Sequence, residues 1–119
     1  MKLGVQPEAG FYRRTPGSTP DNLWDAINGE SYERDFMYPQ MIRHATAEGQ
    51  TEAVRSFTYA LHAERQHVIL FRHAWEGLWS GASTTAYYVA PTCGATYANA
   101  PPALCPLCGT PASRFERFN

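Results

Sequence analysis

The sequence predicts a mainly α protein: a long helical hairpin that pairs with another hairpin into a four-helix bundle, followed by a small C-terminal β domain built around a metal knuckle. Three observations predict this. Apolar residues recur at helical spacing over two stretches separated by Glu48-Gly49-Gln50. On those apolar faces Glu30 and Glu33, and then Glu64 and His67, stand as i, i+3 pairs, so each pair projects from one helix face. All three cysteines fall between positions 93 and 108, two of them in a Cys-x-x-Cys-Gly turn.

The first helix starts at Ser18-Thr19-Pro20-Asp21, where Thr19 can cap and Pro20 suits the first helical position. Residues 1–19 carry Gly and Pro without a period and read as an arm or linker. Leu23, Ile27, Glu30, Met37 and Met41 then mark the buried stripe, while Arg34, Asp35 and Arg43 face solvent. Pro39 should kink the helix, and Gly49 stops it. Thr51 can cap the second helix. Its stripe runs Val54, Phe57, Leu61, Glu64, Val68, Phe71, Trp75, Leu78 in alternating steps of 3 and 4, the seam of an antiparallel bundle. Gly77 and Ser80-Gly81 end it, so the hairpin covers 20–79, with Trp24, Trp75 and Trp79 packing near its ends. His44, His62 and His73 fall off the stripe. Each helix is about 28 residues, or about 42 Å. Two such helices leave an apolar face uncovered, which predicts at least a dimer; a helical partner encoded elsewhere would serve equally.

Glu64 occupies a core position, and an unpaired buried charge is costly. A metal ion is the natural partner for carboxylates and an imidazole on one stripe. Four-helix bundles that take a Glu from two helices and a Glu-x-x-His from the other two hold di-iron or di-manganese centres. This chain supplies one helix of each kind, half a set. The competing reading is ordinary surface charge, with Glu30 and Arg34 as an i, i+4 pair.

Residues 80–86 read as a flexible tether, and 87–119 as short β and turn segments. Cys105-Pro106-Leu107-Cys108-Gly109 is a complete knuckle. Its partner about a dozen residues earlier ends in Cys93-Gly94 but has Ala90 where a cysteine is expected. Residues 86–119 contain no His and a single acid, Glu116. Cys93, Cys105 and Cys108 could still hold iron or zinc with water in the fourth position; the competing reading is a structural zinc knuckle without redox chemistry.

The formal net charge is −1 with the signs mixed, so no basic stripe points to nucleic acid. No apolar run approaches the roughly 18 residues of a membrane span, and the N-terminus has no signal-peptide core. The expected compartment is the cytoplasm, where clustered cysteines favour metal chemistry over disulfides.

These motifs together make the chain resemble the rubrerythrin family, from about Asn22 to the C-terminus. The residues that carry the resemblance are Gly29-Glu30-Ser31-Tyr32-Glu33 with Met37-Tyr38-Pro39 after them, Ala45 through Glu48-Gly49, Ala63-Glu64-Arg65-Gln66-His67, and the cysteine tail ending in Phe115. The resemblance implies a ferritin-like bundle with a di-iron centre and a rubredoxin-like C-terminal iron site. It implies Glu30, Glu33, Glu64 and His67 as iron ligands, Glu64 bridging, and Tyr38 as the catalytic hydrogen-bond donor beside them. It implies Cys93, Cys105 and Cys108 as ligands of the second iron. The family's N-terminal helix pair has no counterpart here. The favoured expectation is a homodimer that shares the di-iron centre, over a separate N-terminal half or a fragment. The activity implied is reduction of hydrogen peroxide to water, with electrons arriving from a donor protein through the cysteine iron. The alternatives are a ferritin-like ferroxidase and a non-catalytic helical module with a structural zinc knuckle.

Overall fold

The computed structural model describes residues 15–81 and 85–119. The expected arm lies outside the described residues up to position 14, and the expected tether at positions 82–84.

Helix α1 (Thr19–Tyr32) is capped by Ser18 rather than Thr19. Ser18 Oγ accepts from the Asp21 N–H at 3.4 Å and donates to the Asp21 carboxylate. The reason is reciprocity: counted from Ser18, Asp21 is the third helical residue, where an acid completes a capping box. Pro20 still falls in the first turn, where its missing N–H costs nothing.

A π turn (Glu33–Met37) joins α1 to α2 (Tyr38–Ala47). The Tyr38 N–H bonds the Glu33 carbonyl, five residues back. Pro39 comes next. It has no N–H, and its ring would crowd the carbonyl four residues earlier. The wider turn relieves both, so the helix passes through the proline instead of ending there. The inserted residue also rotates α2 relative to α1. Met41, expected on the buried stripe, is 37% exposed, whereas Ile42 is half-buried and Ala45 buried.

Glu48 and Gly49 end α2. Gly49 adopts φ +68°, its N–H bonds Thr46 O at 3.1 Å, and the Gln50 N–H bonds Ala45 O at 2.8 Å, the paired bonds of a Schellman turn. Helix α3 (Thr51–Gly77) begins after Gln50, so Thr51 is its first residue and not its cap. Its seam is as expected through Trp75: Glu64 and Val68 are buried, and the aromatic and aliphatic residues around them half-buried. Trp75 meets Trp24 at 5.8 Å between ring centroids, but Trp79 is 71% exposed and does not pack. No helix of the described residues is long and apolar enough to cross a membrane.

Strands β1 (Tyr87–Val89), β2 (Thr96–Ala98) and β3 (Glu116–Phe118) form an antiparallel sheet in the order β2-β1-β3. Tyr88 lies opposite Tyr97 on one side and Arg117 on the other. The core of this part is Ala90, Cys93, Ala95 and Cys105, covered by Tyr97, Leu107 and Phe115, and by Tyr59 from α3. The knuckle thus docks on the hairpin of its own chain. Small residues permit the approach: Ala63 is buried, and a Cβ added at Gly94 would lie 3.6 Å from its methyl.

Candidate metal centres

The end of α1 and the middle of α3 bring Glu30, Glu64 and His67 together. One ligand atom from each lies within 4.8 Å of the others. Glu33 opens the π turn, and its carboxylate stands beside this trio without joining it. Burial, then the charge of Glu30, raises the Glu33 carboxyl; contacts with Glu64 and His67 work the other way.

The orientation of His67 is the informative detail. Its Nε2 lies 3.0 Å from Thr96 Oγ1 and 3.3 Å from the Gly94 carbonyl. A carbonyl only accepts, so the ring proton belongs on Nε2. The Nδ1 lone pair then faces Glu64 Oε2 at 2.9 Å and Glu30 Oε2 at 3.4 Å. Acceptors pointed at one another need either a metal ion or a shared proton between them. Glu30 Oε2 is also buried without a hydrogen-bond partner, an orphan that a metal ion would satisfy. The residues present therefore fit a metal bound through two carboxylates and Nδ1, with the outer nitrogen anchored as is usual for a metal-bound imidazole.

Without a cation the site is held by protons. Burial, with the hydrogen bond and charge of Glu64 adding to it, pushes Glu30 up to about 7. Glu64 is raised mainly by burial. Tyr38 packs against Phe57 at 6.3 Å between centroids. Burial, then the charges of Glu64, Glu33 and Glu30, raises its hydroxyl, so it keeps its proton. A cavity of about 420 Å³ lies against this cluster, lined by Glu30, His67 and Phe71 from the helices and by Tyr87 and Thr96 from the sheet.

The second cluster is Cys93, Cys105 and Cys108, likewise within 4.8 Å. Cys93 and Cys105 sulfurs are 3.7 Å apart. Burial pushes the Cys93 thiol up to about 12. At Cys108 burial works the same way, but hydrogen bonds from the Thr110 hydroxyl and N–H prevail and bring it down to about 7.

A model of the rubrerythrin family matches residues 5–75. The chain belongs to the rubrerythrin family. It is 37% identical to rubrerythrin-2 of Clostridium acetobutylicum over 100 residues, 82% of this chain and 54% of that protein. It is 33% identical to nigerythrin of Nitratidesulfovibrio vulgaris over 97 residues, 82% of this chain and 48% of that protein. The structure of nigerythrin in a mixed-valence state superposes with a TM-score of 0.87 at 29% identity, over 98% of this chain and 57% of that one. The chain thus spans about half the length of the relatives it matches. Family membership implies iron. The helical cluster fits it by two observations, the orphaned Glu30 oxygen and the inward lone pair of His67. The cysteine cluster does not fit a four-thiolate iron, because among the described residues no fourth His, Cys, Asp or Glu joins the three sulfurs.

Sequence reasoning found both clusters but missed the residues that connect them. Gln66 Oε1 accepts the Thr96 N–H at 3.1 Å, and Thr96 and Gly94 hold His67. Gly94 is next to Cys93 in the chain, so one peptide unit separates the cysteine knuckle from the helical cluster. The Glu-x-x-His spacing that encloses Gln66 carries no sign of this, since the partners lie 27 to 30 residues away. Thr96→Val should lower metal affinity at the helical cluster by about tenfold, the low end for an outer partner because the Gly94 carbonyl remains. A Co(II) titration measures this; unchanged affinity would show that Thr96 does not orient the ring.

Proposed function

We propose that this chain forms half of a di-iron centre that reduces hydrogen peroxide to water, and that a second copy of the chain completes it. The observation behind this reading is the inward-facing trio of Glu30, Glu64 and His67, with a lone pair and an orphaned carboxylate oxygen aimed at one point. On this reading Glu30, Glu64 and His67 would hold metal, and Glu33, beside them, would add a further carboxylate. Iron, when bound, supplies the two electrons that cleave the O–O bond. The overall reaction also consumes two protons per peroxide. Tyr38 keeps its hydroxyl proton beside three carboxylates and so acts as a hydrogen-bond donor at the carboxylate cluster, outside the lining of the cavity that Glu30 and His67 border. Leu23, Leu70 and Phe71 line that cavity with apolar surface and limit competing water. His67 stays fixed while this happens, because Thr96 and Gly94 hold its far side. The electrons are restored by a donor protein.

A single chain offers half a ligand set, and its exposed apolar residues include Tyr32 and Phe36, stacked at 6.0 Å. A second hairpin would cover such surface and bring the missing carboxylates and histidine. One observation favours a second reading, iron oxidation and storage: Ala90 leaves the cysteine cluster a ligand short of an electron relay. Mixing the ferrous protein with peroxide or dioxygen in a stopped-flow instrument separates the two. The peroxidase reading expects oxidation at least tenfold faster with peroxide. Equal or faster reaction with dioxygen, with iron release or mineral growth after it, would replace it with the storage reading.

A further inference from the structure

The two halves of the cysteine knuckle are built alike. The Gly94 N–H bonds Ala90 O at 2.8 Å, and the Gly109 N–H bonds Cys105 O at 2.8 Å. The Ala90 N–H bonds Ala95 O at 2.9 Å, and the Cys105 N–H bonds Thr110 O at 2.8 Å. Gly94 and Gly109 share positive φ, +78° and +75°. By each of these contacts Ala90 is the counterpart of Cys105. The backbone cradle of a fourth ligand is therefore intact, and only its sulfur is missing. Ala90 is 0% exposed and lies in the same cluster as Cys93 and Cys105. Two hydroxyls near the cluster already serve the sulfurs: Thr110 Oγ1 at 3.1 Å from Cys108 Sγ, and Tyr97 OH at 4.0 Å from Cys105 Sγ. Neutral hydroxyls are weak ligands for a soft, thiolate-bound metal.

We propose that Cys93, Cys105 and Cys108 form an open metal site, with three protein thiolates and one exchangeable position beneath Ala90 that takes a small exogenous donor such as a solvent molecule or azide-sized anion. Three protein ligands plus one exchangeable position is the arrangement that distinguishes reactive tetrahedral sites from closed structural ones. Cys108 is the partly exposed member of the three, so a small donor is expected to reach the metal from its side. Binding there is ligand exchange: solvent leaves as the donor's lone pair binds, with no electron transferred. Iron with water in place of one thiolate loses a negative charge and favours its ferrous form relative to a four-thiolate iron. The site differs from the helical cluster in both residues and ligand type, so its test stands apart from that of the di-iron reading.

The probe is Co(II), bound to the full chain at no more than one equivalent and with Glu64→Gln in every sample so that the helical cluster does not compete for cobalt, and monitored by its thiolate-to-cobalt absorption bands during an azide titration; wild type here means Ala90 retained. The wild type should show a saturable spectral shift, and X-ray absorption should count three sulfurs and one light atom at cobalt. In Ala90→Cys the azide shift should be lost, the count should rise to four sulfurs, and iron loading should yield the visible bands of a ferric tetrathiolate. A wild-type spectrum unmoved by azide, or a count of four sulfurs in the wild type, overturns the proposal, as does absence of thiolate-to-cobalt bands. The sulfur count on the wild type decides the matter even if Ala90→Cys does not fold.

Discussion

On the proposed reading, Glu64→Gln will remove iron from the helical cluster and abolish peroxide reduction, while making the metal-free protein more stable. Glu64 is 8% exposed, on the seam between α3 and α1, with Glu30 and His67 as its immediate neighbours. The amide keeps the volume and can still meet His67, but it brings no charge to a cation. Losing an outer partner of a metal ligand costs about 10- to 100-fold in affinity, and losing a charged ligand itself should cost more than about 100-fold. The stability effect has the opposite sign. In the metal-free protein Glu64 and Glu30 crowd each other in a buried site, so neutralising one removes a costly charge without opening a cavity. Thermal unfolding with and without metal reads both effects. From this site the wild type should gain about 4 kcal/mol at a thousandfold excess of metal over its Kd, and the variant at most about 1.4 kcal/mol. A variant that binds iron as tightly as the wild type would falsify the ligand assignment.

If a second copy completes the centre as proposed, iron retention will track dimerisation. Each chain supplies one Glu helix and one Glu-x-x-His helix, half of what a di-iron bundle uses, so the helical cluster should saturate at about one iron per chain, beside any iron held by the cysteines. On dilution through the dimer dissociation range, iron should be lost together with the second copy. Sedimentation velocity, with iron analysis on each fraction, checks this directly. The exposed Phe36 (66%) and Trp79 (71%) give the association an apolar driving force, which also predicts that metal-free protein associates weakly instead of staying fully monomeric. A monomer that holds iron tightly at every concentration would show that a single hairpin suffices. Iron uptake that begins only when a separate helical protein is added would show that the second half comes from another chain.

Much of the site was legible because its signals are local. The alternating 3- and 4-residue steps of α3 placed Glu64 among Leu61, Val68 and Phe71, and the structure buries it there. The i, i+3 spacing of Glu64 and His67 needs only helical geometry to bring Nδ1 within 2.9 Å of the carboxylate. The gap at Ala90 was visible because a knuckle has fixed spacing. The failures were also local, but they involved competition between neighbours. Asp21 drew the cap to Ser18. Pro39 was relieved by a π turn, and the inserted residue moved Met41 off the buried stripe. Periodicity assumes an unbroken 3.6-residue turn and does not see one extra residue.

The sequence by itself determined the two helices, the carboxylates and histidine on their inner faces, and a cysteine knuckle with one ligand absent. These depend on spacings of a turn or less, where backbone geometry alone fixes which side chains meet. Only the tertiary structure decided that the knuckle lies against its own α3, that Gly94 and Thr96 orient His67, and that Ala90 occupies the mirrored place of Cys105 in an intact cradle. Those facts depend on how two independently patterned pieces dock. Docking is set by small, unpatterned contacts such as Ala63 against Gly94 and Gln66 with Thr96, about 30 residues apart in the chain and without a period to announce them.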